Sequence, residues 1–154
     1  MGMYTGLRLQ VIVKEEYREI IRAMMEDSEI EDWHDILNRY PEMEFIRDFA
    51  NEQRSHMIPF GTLSYMPDEW ETDYWHKVFE TDTGYWQFQC SVNYGWVEIR
   101  KFIEDVVPVI SNKVLHAESY YEEDRYGNMY ELVDNKMVKN ESLKVDYKPW
   151  KDEE

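Results

Sequence analysis

The chain has one cysteine, six glycines and five prolines in 154 residues. A lone thiol excludes an internal disulfide, so a hydrophobic core must hold the fold together. No glycine-rich turn joins a strand to a helix, which excludes a phosphate cradle of that kind. No apolar run approaches the roughly 20 residues that a membrane span needs. Basic side chains are scarce, with 17 Lys plus Arg against 33 Asp plus Glu, for a net charge of −16. That field repels nucleic-acid phosphates and anionic lipid, so neither is expected as a direct partner. The opening MGMYTGLRLQ lacks the basic and apolar regions of a signal peptide, and Gly2 has no hydroxyl residue at the position myristoylation requires. With the single cysteine, these absences point to the cytoplasm.

Aromatic residues are plentiful: 16% of the chain, with 12 Tyr, six Trp and six Phe. A core of this size does not need so many tyrosines, so some are expected on the surface as binding anchors.

The strongest pattern is Tyr85 to Ile110. Trp86, Phe88, Cys90 and Val92 alternate with Tyr85, Gln87, Gln89 and Ser91, which predicts a central strand with one apolar and one polar face. After a turn at Asn93 to Gly95, Trp96, Ile99, Phe102, Ile103, Val106, Val107 and Ile110 take helical spacing, with Pro108 and Ser111-Asn112 marking the exit.

Leu7, Leu9, Val11 and Val13 alternate with Arg8 and Gln10 over Thr5 to Lys14, a first strand. Tyr17, Ile20, Ile21, Met24 and Met25 predict a helix over Glu15 to Glu26. Ser28 to Glu31 reads as a capping box for a second helix carrying Trp33, Ile36 and Leu37, broken at Tyr40-Pro41. Pro41 then opens a short helix to Ala50. Strands are expected over Thr62 to Met66 and Trp75 to Glu80, with an acidic loop from Pro67 to Asp73 between them. Thr81 to Gly84 is a hairpin turn. Lys113 to Glu123 and Met129 to Val133 form a hairpin around Asp124 to Asn128. Asp134-Asn135 turns into Met137-Val138, and Leu143, Val145 and Tyr147 suit an edge strand. One domain is expected over residues 1–147, with a mobile acidic tail over 148–154. This order resembles the split β-α-β plan of ferredoxin-like domains. It implies an α+β fold with a mostly antiparallel sheet, helices on one face, an extra C-terminal hairpin and an open second face. That likeness concerns architecture and carries no function.

Catalytic and metal chemistry find little footing. His34, His56, His76 and His116 are scattered without the spacing that places two imidazoles on one helix face. His116-Ala117-Glu118 matches H-x-E of zinc deaminases, but no P-C-x-x-C follows. Asp68, Glu69, Glu71 and Asp73, with Asp82 in reach, could meet a hard cation, yet the calcium-loop pattern is incomplete and a solvated loop is the preferred reading. Cys90 falls on the apolar face, a buried thiol rather than a nucleophile. Among 33 acids, pairing any two for glycoside hydrolysis is arbitrary. No cofactor, metal or catalytic residue is expected.

Interaction remains. Three stretches interleave aromatics with carboxylates: Glu26 to Asp35, Pro67 to Asp73 and Glu118 to Asp124. The candidate partner-binding residues are Asp68, Glu69, Trp70, Glu71, Asp73, Glu118, Tyr120, Tyr121, Glu122, Glu123 and Asp124. They suit a non-enzymatic protein occupying a basic surface of a partner protein through carboxylate–Arg and carboxylate–Lys pairs. At the level of class, such proteins serve as inhibitors, nucleic-acid mimics, immunity proteins or phage anti-defence proteins. The alternatives are solvated faces without a role, a homodimer built on the sheet, or a small-molecule binder or enzyme with a pocket on the open face, lined by Tyr85, Gln87, Gln89 and Tyr120 or Tyr121.

Overall fold

The computed structural model describes residues 3–151; Gly2 and the end of the expected tail, 152–154, lie outside the described residues. It is an α+β fold around an antiparallel sheet. The strands are β1 (Tyr4–Val13), β2 (Val78–Phe79), β3 (Tyr85–Asn93), β4 (Ser111–Tyr121), β5 (Tyr126–Val133), β6 (Lys136–Lys139) and β7 (Val145–Asp146). Their order is β2-β3-β1-β4-β5-β6, with β7 pairing β5. The central strand is therefore β1, not β3. Leu7 sits opposite both Cys90 and Ser119, and Arg8 opposite both Gln89 and Glu118.

Every recorded pairing is antiparallel. Neighbours in a split β-α-β sheet are antiparallel as well; this seven-stranded sheet extends beyond that plan, and a ferredoxin-like topology is not established. Helical rhythm and strand alternation alone do not say which strands become neighbours.

One sheet face carries the helices α1 (Glu15–Glu26), α2 (Trp33–Arg39), α3 (Arg47–Ala50), α4 (Trp96–Lys101) and α5 (Val107–Ile110). Leu7, Leu9, Val11 and Val13 of β1 and Trp86, Phe88, Cys90 and Val92 of β3 are buried beneath them. Trp33, Phe49 and Phe102 meet at ring-centre separations of 5.4 to 5.7 Å. Each such pair adds roughly 0.5–1.5 kcal/mol beyond area burial. The Trp33 indole N–H donates to the Ile58 carbonyl at 2.6 Å, so its one polar atom is satisfied.

The α2 cap lies one turn later than its sequence suggests. Asp32, not Ser28, accepts the Asp35 N–H at 2.9 Å. Both residues are good caps, and burial of Trp33, Ile36 and Leu37 selects the later start. Proline at 108 does not end its helix. A π turn over Phe102–Val106 joins α4 to α5, with the Val107 N–H reaching back to the Phe102 carbonyl. The wider turn leaves Pro108, which has no N–H to give, at the start of α5.

The second face of the sheet is not open. The segment 61–77, expected to hold a strand over Thr62 to Met66 and the start of one over Trp75 to Glu80, instead runs across that face with only two short 3₁₀ turns, Asp68–Trp70 and Asp73–Trp75; the second strand is present only as β2. The segment's backbone carbonyls are held by β3 side chains. The Gln87 amide donates to the carbonyls of Tyr74 (2.6 Å) and His76 (2.9 Å), and that of Gln89 to the carbonyl of Trp70 (2.9 Å). The Ser91 hydroxyl lies 3.0 Å from the carbonyls of Thr62 and Ser64 and accepts the Ser64 N–H at 2.7 Å. The polar stripe that reads as a solvated strand face is the set of donors that lets irregular backbone be buried.

Met66 and Trp70 of this segment form a second small core with Tyr120 and Tyr147. Gly6 makes room for it: a Cβ there would stand 2.3 Å from Met66 Sδ and 2.7 Å from the Trp70 ring. The turns follow their residues. Gly84 takes φ +79 in the β2–β3 hairpin, and Asp134 and Asn135 take φ 51 and 65 between β5 and β6.

Candidate functional site

Two constellations meet at the end of the sheet where β1 begins and β4 ends. The first is buried. Arg8 is 8% exposed, with its guanidinium carbon 4.4 Å from the Trp70 ring and 4.9 Å from the Trp75 ring. It donates to Gln89 Oε1 and to the Glu69 carbonyl, both at 3.1 Å. Burial lowers its pKa; Glu118, Tyr147 and Glu69 pull the other way. Glu118, 1% exposed, accepts from the Tyr147 hydroxyl and lies 2.9 Å from His116 Nε2. Burial first, and then the Glu118 charge, raise the Tyr147 pKa. The His116 ring packs at a tilt against Trp75, with ring centres 4.9 Å apart. The H-x-E pair is thus a structural couple on one strand face. No group of three or more His, Cys, Asp or Glu residues is placed to hold a metal ion among the described residues.

This network locks the C-terminal segment in place. Tyr147 is buried, Arg125 forms a fork with Asp146 at 2.7–3.1 Å, and Lys148 Nζ donates to the Glu122 carbonyl at 2.7 Å. Pro149–Lys151 adds a 3₁₀ turn, so the first part of the expected tail is structured.

The second constellation is a groove of about 650 Å³ on the helix side, between the start of α4 and the β4–β5 hairpin. Tyr94, Trp96 and Tyr121 line it, Ile99 and Ser119 are buried at its base, and Arg100, Asp124 and Asn128 supply its polar atoms. Tyr94 and Trp96 are 55% and 57% exposed. Tyr94 adopts φ 54, a left-handed conformation that costs a side-chain-bearing residue roughly 1–2 kcal/mol. Its N–H donates to the Met3 carbonyl at 2.8 Å, which ties the turn to β1. Arg100 lies over the Trp96 ring at 5.2 Å and pairs with Glu104 at 3.3 Å.

The sequence-derived candidates divide by burial. Trp70, Glu118 and Tyr120 are buried and belong to the second core and the polar network. The loop that was expected to be an acidic surface folds its tryptophan onto Gly6. Asp68, Glu69, Glu71, Asp73, Glu123 and Asp124 are exposed, and Tyr121 and Glu122 are half-buried. The two acidic stretches converge. Tyr120 is pushed up to about 12 by burial first, then by the charges of Asp124, Glu69, Glu122 and Asp146, while its hydroxyl donates to the Asp124 backbone carbonyl at 2.6 Å. Tyr121 is raised by burial, then by Glu123, Glu122, Asp124 and Tyr94. The third acidic stretch, Glu26 to Asp35, lies around α2, and its Asp27 is taken by Arg39 at 2.7 Å.

Cys90 is fully buried, and its thiol is pushed up to about 12 by burial. Tyr85, Gln87 and Gln89 face the covering segment and are not among the residues lining the groove. Tyr94 and Trp96 were read as turn and core, and the structure makes them groove walls. A large ring in the first turn of a helix whose N-cap glycine offers no side-chain cap was the one signal in the sequence.

No protein-family model, curated protein or solved structure matches this chain. No helix among the described residues is long and apolar enough to cross a membrane.

Proposed function

We propose that this is a non-enzymatic interaction protein that docks on a basic surface of a partner protein, acting as an inhibitor of that surface. The observation that supports the reading is the convergence at one end of the sheet. Glu69 of the covering segment, Glu122 and Asp124 of the β4–β5 hairpin and Asp146 of β7 all bear on Tyr120. Beside them, Tyr94 and Trp96 are left more than half exposed. Aromatic area next to carboxylates is the composition of an anchored, charge-steered contact. The carboxylates of Glu123 and Asp124 form no ion pair among the described residues and remain for a partner's cations.

The test is capture from cell lysate at low and high salt after nuclease treatment, using the wild-type chain and a Glu123→Lys, Asp124→Lys variant. A basic protein retained in stoichiometric amount at low salt, released at high salt and lost by the variant supports docking. Equal retention by both chains refutes it.

A further inference from the structure

We infer that the groove between α4 and the β4–β5 hairpin binds an arginine side chain presented by the partner; this rests on the docking reading and specifies its contact. The volume of about 650 Å³ holds such a side chain with its neighbouring main chain. Four aromatic residues, Tyr94, Trp96, Tyr121 and Tyr130, line the groove. A guanidinium is planar and weakly hydrated, so it stacks on ring faces where an ammonium stays with its water. The molecule places four of its own arginines in this way: Arg8 between Trp70 and Trp75, Arg54 on one face of Tyr94, Arg100 on one face of Trp96 and Arg125 over Tyr126. The charge of Arg100 is already matched by Glu104. The anion that lines the groove is Asp124, which has no cation partner among the described residues and stands beside Glu122 and Glu123. An anionic occupant would face the Asp124 carboxylate. A neutral apolar one would leave the Asp124 carboxylate desolvated and unpaired. A guanidinium satisfies both walls and anion at once.

The experiment titrates the full chain with fluorescently labelled tetra-arginine and tetra-lysine, equal in length and charge, and reads anisotropy. Tetra-arginine is expected to bind about tenfold more tightly than tetra-lysine, the scale of one desolvated cation–ring contact. Trp96→Ala is expected to erase that difference and Trp96→Phe to retain most of it, with circular dichroism confirming that both variants fold. Equal affinity for the two peptides, an unchanged preference in Trp96→Ala, or no binding of either peptide overturns the groove assignment. In the first two cases loss of binding by Glu123→Lys, at a position outside the groove, still upholds docking through charge alone. If Glu123→Lys keeps its affinity and its arginine preference while Trp96→Ala loses that preference, the groove stands and the acidic docking reading falls.

Discussion

Tyr94 offers a test in which the backbone can be separated from the ring. Its φ of 54 places it where a side chain crowds its own carbonyl, and where glycine pays nothing extra. Tyr94→Ala deletes the ring and keeps the crowding. Tyr94→Gly deletes the same ring and removes the crowding. The ring is 55% exposed, so its loss costs both variants the same amount, about 1 kcal/mol from partial burial. What differs is the backbone. Relief of the left-handed penalty favours glycine by about 1–2 kcal/mol, and the greater freedom of the unfolded glycine chain returns about 0.4–1 kcal/mol of that. Tyr94→Gly should therefore be more stable than Tyr94→Ala by about 0.5–1 kcal/mol, and should lie close to wild type. In most positions the order is the reverse. Urea denaturation with a common slope measures the difference. If alanine equals or exceeds glycine, the left-handed turn at Tyr94 is not the conformation in solution. A glycine variant that is as stable as wild type but binds tetra-arginine more weakly would show that the strain is retained to hold the ring in the groove.

Other perturbations address the remaining parts of the argument. Gly6→Ala drives a methyl into Met66 and Trp70; methionine can yield but the buried tryptophan has little room, so a loss of about 1–3 kcal/mol is expected in urea unfolding. Ser91→Ala removes the hydroxyl shared by the Ser64 N–H and the Thr62 and Ser64 carbonyls, while the Thr62 carbonyl keeps the Ser91 backbone N–H; this should cost about 1–3 kcal/mol and raise amide exchange in 62–77 before the helices loosen. Alkaline pH should destabilise the fold. The Cys90 thiol is raised from 9.0 to about 12, so its contribution is complete below about pH 9 and disappears as pH rises through about 12, a loss on the order of 4 kcal/mol over the whole window. Unfolding midpoints taken at about pH 8 and about pH 11 should differ less in Cys90→Ala, which has no thiol to ionise; an unchanged difference would mean that other groups carry the alkaline transition.

Much of the fold was legible because the relevant forces act locally. Alternation over Leu7 to Val13 and helical spacing over Tyr17 to Met25 reflect which faces are buried, and β1 and α1 lie where those patterns place them. The turn at Thr81 to Gly84 was readable because only glycine takes φ +79 without strain. The segment from Thr62 to Met66 was misread for a related reason. Its residues suit a strand, but it meets β3 through one backbone bond and the Ser91 hydroxyl rather than through a ladder, and a donor on Ser91 looks the same in sequence whether it meets water or a carbonyl. Trp70 and Tyr120 were placed on the surface because carboxylates flank them, yet a single flanked ring can turn inward while its neighbours stay in solvent.

The sequence by itself determined the charge, the lack of disulfide and of a phosphate loop, the α+β class and the residues that form the helix-side core. Those follow from composition and from periods of two and of 3.6, which any short window displays. Only the tertiary structure decided that β1 is central, that residues 61–77 close the second face, and that Tyr94, Trp96, Tyr121 and Asp124 share one groove. Those depend on contacts between residues far apart in the chain, where burial of one face chooses among pairings that local pattern leaves equally good.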